Sequence, residues 1–90
     1  MRAIYKYEIE IVDFPEINAP LGAKPISVIV QNNKPYVYCI VYPENELGKQ
    51  TFRLIGTGMP IQDGNVDSSV FIGTFEIEVS GTPFVGHLFK

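Results

Sequence analysis

The chain has 90 residues, 46% of them hydrophobic and 19% charged, with a formal net charge of −3. That composition argues for a folded domain over disorder, and the length for one domain, residues 1–90, with a small core that gains from association with further copies. The negative balance and the scattered cations argue against duplex DNA or long RNA as partners. Cys39 is the lone cysteine, so neither an intrachain disulfide nor a cysteine metal site can form, and it reads as a buried thiol. No leader or membrane span is read, and the expected compartment is a cytoplasm.

Hydrophobic alternation predicts an all-β chain of six strands. The first covers residues 2–13, with Tyr5, Tyr7, Ile9 and Ile11 on one face and Lys6, Glu8 and Glu10 on the other. Phe14-Pro15 ends it, and Ala19-Pro20-Leu21-Gly22 is turn chemistry. The second strand runs from Lys24 to Gln31, and Asn32-Asn33 then predicts a tight hairpin, because asparagine tolerates positive φ. The third, Pro35 to Tyr42, is apolar on both faces, which places it centrally in a layered structure or at a subunit interface.

A polar connection over 43–49 leads to a fourth strand, Gln50 to Thr57. Residues 58–68 read as a loop broken by Pro60 and Gly64, with the acids Asp63 and Asp67 in no known calcium spacing. The fifth strand runs from Ser69 to Val79, Ser80-Gly81 forms a second hairpin turn, and the sixth spans Thr82 to Phe89. The architecture expected is a small antiparallel sandwich or a partly open barrel.

One tripeptide occurs twice, as Ile55-Gly56-Thr57 and Ile72-Gly73-Thr74. A Gly-Thr pair in a strand gives up packing to expose backbone and a hydroxyl, which suits a bend, a bulge or the close approach of a ligand or another chain. Gly56-Thr57-Gly58 is therefore either a bend or a small nest of amides for an anionic oxygen. Arg53, among apolar neighbours, wants an anion: a glutamate of its own chain or a phosphate. Lys24 follows Gly22-Ala23 and is solvated or bound to a ligand or partner. Tyr38 belongs to a tyrosine-rich set that either packs or stacks on a base. His87, the single histidine, alternates with Val85 and Phe89 and reads as structural or interfacial, with a ligand contact as the alternative. A nucleophile–base pair is not legible, so no enzyme, cofactor or metal is expected.

The segments Pro20-Leu21-Gly22-Ala23-Lys24, Ser27-Val28, Gln31, Arg53, Gly56-Thr57-Gly58-Met59-Pro60-Ile61, Gly73-Thr74-Phe75 and Phe84-Val85-Gly86-His87-Leu88-Phe89 resemble a family of short uncharacterised phage and bacterial proteins. The chain is similar to the anti-CBASS sponges, small phage β proteins that sequester cyclic nucleotide signals of bacterial defence. The resemblance implies a homo-oligomer in the cytoplasm of a bacterial host, binding a small anionic nucleotide without cleaving it. For that ligand the chain offers Arg53 to a phosphate, Thr57 with the Gly56 and Gly58 amides to an oxygen, Tyr38 to a base, and Lys24 and His87 as secondary contacts. The alternative is a small phage structural or protein-interaction module that works through an exposed strand edge.

Overall fold

The computed structural model describes residues 1–61, 66 and 69–90. The predicted break at Gly64 and the pair Asp63 and Asp67 lie outside the described residues. Among the described residues eight strands are present: β1 (Ala3–Glu8), β2 (Glu16–Pro20), β3 (Lys24–Gln31), β4 (Lys34–Val41), β5 (Leu47–Thr51), β6 (Arg53–Gly56), β7 (Phe71–Val79) and β8 (Thr82–Phe89). They form three antiparallel sheets, ordered β1-β4-β3, β2-β5 and β6-β8-β7. The all-β class is as expected, whereas six strands in one sandwich or barrel is not: the first predicted strand stops early and a further strand forms at Glu16–Pro20, the fourth is interrupted at Phe52, and no barrel closes among the described residues.

The first break follows Ile9. The alternation of Tyr5, Tyr7 and Ile9 holds, and Ile9 is 1% exposed, but the chain then bends through residues 11–14 and Ile11 turns outward. Phe14-Pro15 re-aims the backbone so that Asp13 and Pro15 accept the amides of Leu54 and Phe52 at 3.0 and 2.8 Å. β2 then continues as the partner of β5, pairing Glu16 with Thr51 and Pro20 with Leu47. The expected turn at 19–22 accordingly starts later, at Leu21-Gly22, where Gly22 has φ 88°. The second break is at Phe52, 1% exposed, which separates β5 from β6 as the chain passes from one sheet to the next.

Both hairpins follow their turn chemistry. Asn32 and Asn33 have φ 51° and 61°, and Ser80 and Gly81 have φ 52° and 79°, the pair of left-handed residues that matches the twist of the flanking strands. Asn33 does a second job: its side-chain amide donates to the Glu78 carbonyl, and its oxygen accepts the Glu78 amide, both at 2.8 Å. This two-point clamp pins the β3-β4 hairpin to β7.

β4 is the central strand of the first sheet, which accounts for its two apolar faces. Val37, Cys39 and Val41 are wholly buried, while Tyr36, Tyr38 and Ile40 are half-buried on the outer side. The inner face packs into one cluster with Phe52, Leu54, Phe75, Ile77 and Leu88. Glycine lets side chains close over the backbone, from the first sheet at Gly73 and from within the third sheet at Gly86. A Cβ at Gly73 would sit 2.7 Å from Val28 Cγ1, and one at Gly86 would sit 2.8 Å from Phe75 Cζ and 2.9 Å from Leu54 Cδ1.

Gly86→Ala is therefore expected to overpack this core and lower stability by about 1–3 kcal/mol in urea unfolding; an unchanged midpoint would contradict the packing. Burial pushes the Cys39 thiol up to about 11. Because the folded state holds this proton more tightly than the unfolded one, the contribution is intact below the ordinary thiol value and is lost as pH rises toward 11. A thiol-specific colour reagent at pH 8 should label Cys39 only as fast as the protein unfolds; rapid labelling of the folded chain would contradict its burial.

Candidate functional site: a threonine–histidine row

Strand pairing brings the two Ile-Gly-Thr segments to opposite sides of β8. Ile55 lies across from His87 on the β6 side, and Thr74 lies across from His87 on the β7 side. In each tripeptide the glycine turns inward. Gly56 packs under Phe84 and Met59, and Gly73 lies against Val28. An extra residue in β7 between Phe71 and Gly73 breaks the alternation and lets Ile72 also pack on the core cluster. The following threonines then share the outer face with His87.

There the three side chains form a row. Thr57 Oγ1 lies 2.7 Å from His87 Nε2, and Thr74 Oγ1 lies 2.8 Å from His87 Nδ1. A neutral imidazole donates from one nitrogen and accepts at the other, whereas a protonated one donates from both. A hydroxyl can take either role, so the row is satisfied in both states. Thr57 and His87 meet the distance required of a nucleophile and its base. Both ring nitrogens are taken by hydroxyls, however, which leaves none for an orienting carboxylate.

The backbone at the end of β6 is largely spent. The Thr57 amide donates to the Val85 carbonyl at 3.0 Å, and the Met59 amide donates to the Gly56 carbonyl at 3.1 Å. Gly58 has φ 84°, the left-handed conformation of a turn leaving the strand. Of the two readings of Gly56-Thr57-Gly58, the geometry supplies the bend, and it occupies the Thr57 amide that a nest would use. Beneath it lies a cleft of about 170 Å³ lined by Ile11, Val12, Asp13, Leu54, Gly56, Met59 and Phe84.

Arg53 shares the outer face of β6 but is engaged within its own chain. Its Nη1 donates to the carbonyls of Leu54 and Asp13 at 3.1 and 3.3 Å, and it lies 3.8 Å from Asp13 Oδ1. The guanidinium carbon sits 4.9 Å from the Phe14 ring centroid. The side chain is 16% exposed against 70% for Asp13, so Arg53 acts as a strut that holds the bend at residues 13–14 onto β6. Among the described residues the carboxylate beside it is Asp13 and not one of the glutamates considered from sequence.

Tyr38 and Lys24 lie on a different sheet. In β3-β4 pairing Lys24 is opposite Ile40, and Tyr38 is opposite Ser27, so the two share the outer face of the β1-β4-β3 sheet. The fold therefore gathers Thr57 and His87, flanked by Gly56 and Gly58, on one sheet, and Tyr38 with Lys24 on another. The residues that sequence reasoning passed over are Thr74, Asp13 and Phe14. Thr74 was marked by the repeated tripeptide, whereas nothing local marks Asp13 or Phe14 as partners of Arg53. Among the described residues no group of histidine, cysteine and carboxylate side chains is placed to hold a metal.

A double-mutant cycle tests the row. Thr57→Val and Thr74→Val should each cost about 1 kcal/mol, and each should couple to His87→Phe by about 0.5–1 kcal/mol. Strictly additive losses would show that the hydroxyls and the ring act independently.

No curated protein and no solved structure matches the chain. A family model matches all of it, residues 1–90, and is described as a domain of unknown function, DUF7352. This agrees with the resemblance at the level of an uncharacterised family. The chain belongs to the DUF7352 family.

Proposed function

We propose that this chain is a non-catalytic association module that works by laying its apolar outer surfaces against another protein surface. The observation that carries the reading is the apolar character of faces that a lone chain would turn to water. On the first sheet, Ile4 (61% exposed) pairs with Ile40, and Ile29 (47% exposed) pairs with Tyr36. On the third, Phe71 (54% exposed) packs at a tilt against Phe89 with ring centroids 5.4 Å apart. Scattered apolar residues need no explanation, whereas cross-strand pairs of them make contiguous patches of the kind that bind proteins. The low charged fraction points the same way.

A second reading draws on Tyr38 and Lys24, which share one open face near Lys6. It is the sequestration of a small nucleotide second messenger between copies, as in the phage sponges that the sequence resembles. Calorimetric titration with cyclic dinucleotides and ADP-ribose derivatives separates the two: heat of binding favours the sponge, and silence removes it.

For the association reading, the folded chain at low micromolar concentration is expected to light up an apolar fluorescent dye. Ile29→Lys combined with Phe71→Lys should cut that signal by about half without moving the unfolding midpoint. A folded chain that leaves the dye dark contradicts the reading.

A further inference from the structure

The first sheet ends on β1, an edge strand. Among the described residues β1 pairs with β4 and with no other strand. Its pairing fixes which backbone groups remain unused. Beyond Tyr7↔Val37 the ladder continues as Ile9 donating its amide to the Pro35 carbonyl at 2.9 Å. Backbone groups alternate in direction along a strand, so those of Ala3, Tyr5 and Tyr7 point to β4, and those of Ile4, Lys6 and Glu8 point away from the sheet. This edge carries no proline and no bulge. Lys6, the residue that would guard it, is folded back over the sheet, bonded to Gln31 and with its ammonium 4.8 Å from the Tyr36 ring centroid.

We infer that β1 is the pairing edge of a symmetric dimer, in which β1 of a second copy adds antiparallel to it and makes one six-stranded sheet. The inference rests on the association reading and names the partner and the surface. The charges select both. A two-fold axis normal to the sheet keeps each face apolar or polar on both sides of the join only when even-numbered residues pair with even-numbered ones. Centring the axis on Lys6 would oppose two ammonium groups, and centring it on Ile4 would oppose Arg2 to Lys6. Centring it on Tyr5 opposes Arg2 to Glu8 twice, sets Lys6 beside Ile4, and brings the two Tyr5 rings together at a closely spaced pair. Centring it on Tyr7 would also complement charge, setting Lys6 against Glu8, but it overlaps only residues 6–8 of β1 where the Tyr5 register overlaps residues 3–7, and it draws on the Lys6 ammonium that Gln31 and the Tyr36 ring already hold. The Tyr5 register also places the partner's Glu8 beside the shallow hollow of about 210 Å³ that Arg2, Ala3, Ile4 and Ile40 line at this edge.

Sedimentation equilibrium of the full chain tests this. The wild type is expected to show a monomer–dimer equilibrium. Arg2→Glu and Glu8→Arg alone should each weaken it about tenfold, and the double swap R2E/E8R should restore it to within about threefold. Ile4→Pro removes an amide that the β1-β4 ladder does not use, and should leave a monomer with an unchanged circular dichroism spectrum. A wild type that is monomeric throughout, or a double swap as weak as either single one, overturns the inference. If either occurs while the dye response of Ile29 and Phe71 stands, the edge assignment alone fails; if the dye is dark as well, the association reading fails with it.

Discussion

Everything in this fold depends on three missing side chains. Gly73 and Gly86 let Val28, Phe75 and Leu54 approach the backbone of β7 and β8, and Gly56 does the same for Phe84 and Met59. A methyl group at any of these positions would meet a neighbour within 3.0 Å. At Gly73 the empty position lets Val28 of the first sheet close onto β7, while at Gly56 and Gly86 it is filled mainly by neighbours within the third sheet and by Met59; the molecule measures only 16 Å along its thinnest axis. The same positions set the outer face. Once the glycine of each Ile-Gly-Thr segment is committed inward, its threonine is committed outward, and the two hydroxyls close on His87 from both sides. The threonine–histidine row is thus tied to the packing beneath it.

The parts of the fold legible in the sequence are those written in local chemistry. Asn32-Asn33 and Ser80-Gly81 carry their turns in residues that accept positive φ, and the strands Lys24–Gln31 and Thr82–Phe89 lie where alternation places them. The breaks after Ile9 and at Phe52 were not legible, because apolar alternation runs straight through both. What stops the strands is tertiary: the 13–15 backbone is taken up by Phe52 and Leu54, and β5 is taken up by β2. Leu47-Gly48-Lys49 reads as a polar connection and becomes strand for the same reason. The candidate site divides in the same way. The repeated tripeptide marked the row, and alternation placed His87 on its face. The partner of Arg53 came from a bend that period-two reasoning does not show.

A thin protein of three small sheets has few ways to hide its apolar residues. A chain of this length buries about 60–65% of its unfolded surface, and here the single interior leaves isoleucine and aromatic side chains on the outer faces of two sheets. Few charges are available to dress those faces, and one of the cations, Arg53, is turned onto Asp13 and Phe14 of its own chain. Such a surface is consistent with a protein whose working form has more than one chain. The unguarded edge of β1, with Arg2 and Glu8 near its two ends, supplies a geometry in which a second copy completes the first.

Amide hydrogen exchange along β1 measures this most directly. The account predicts that the amides of Ile4, Lys6 and Glu8, which point away from β4, exchange slowly in concentrated protein and speed up on dilution, while those of Tyr5 and Tyr7 stay protected at every concentration. If Ile4, Lys6 and Glu8 exchange at the rate of free peptide regardless of concentration, the edge is bare in solution and the account is wrong.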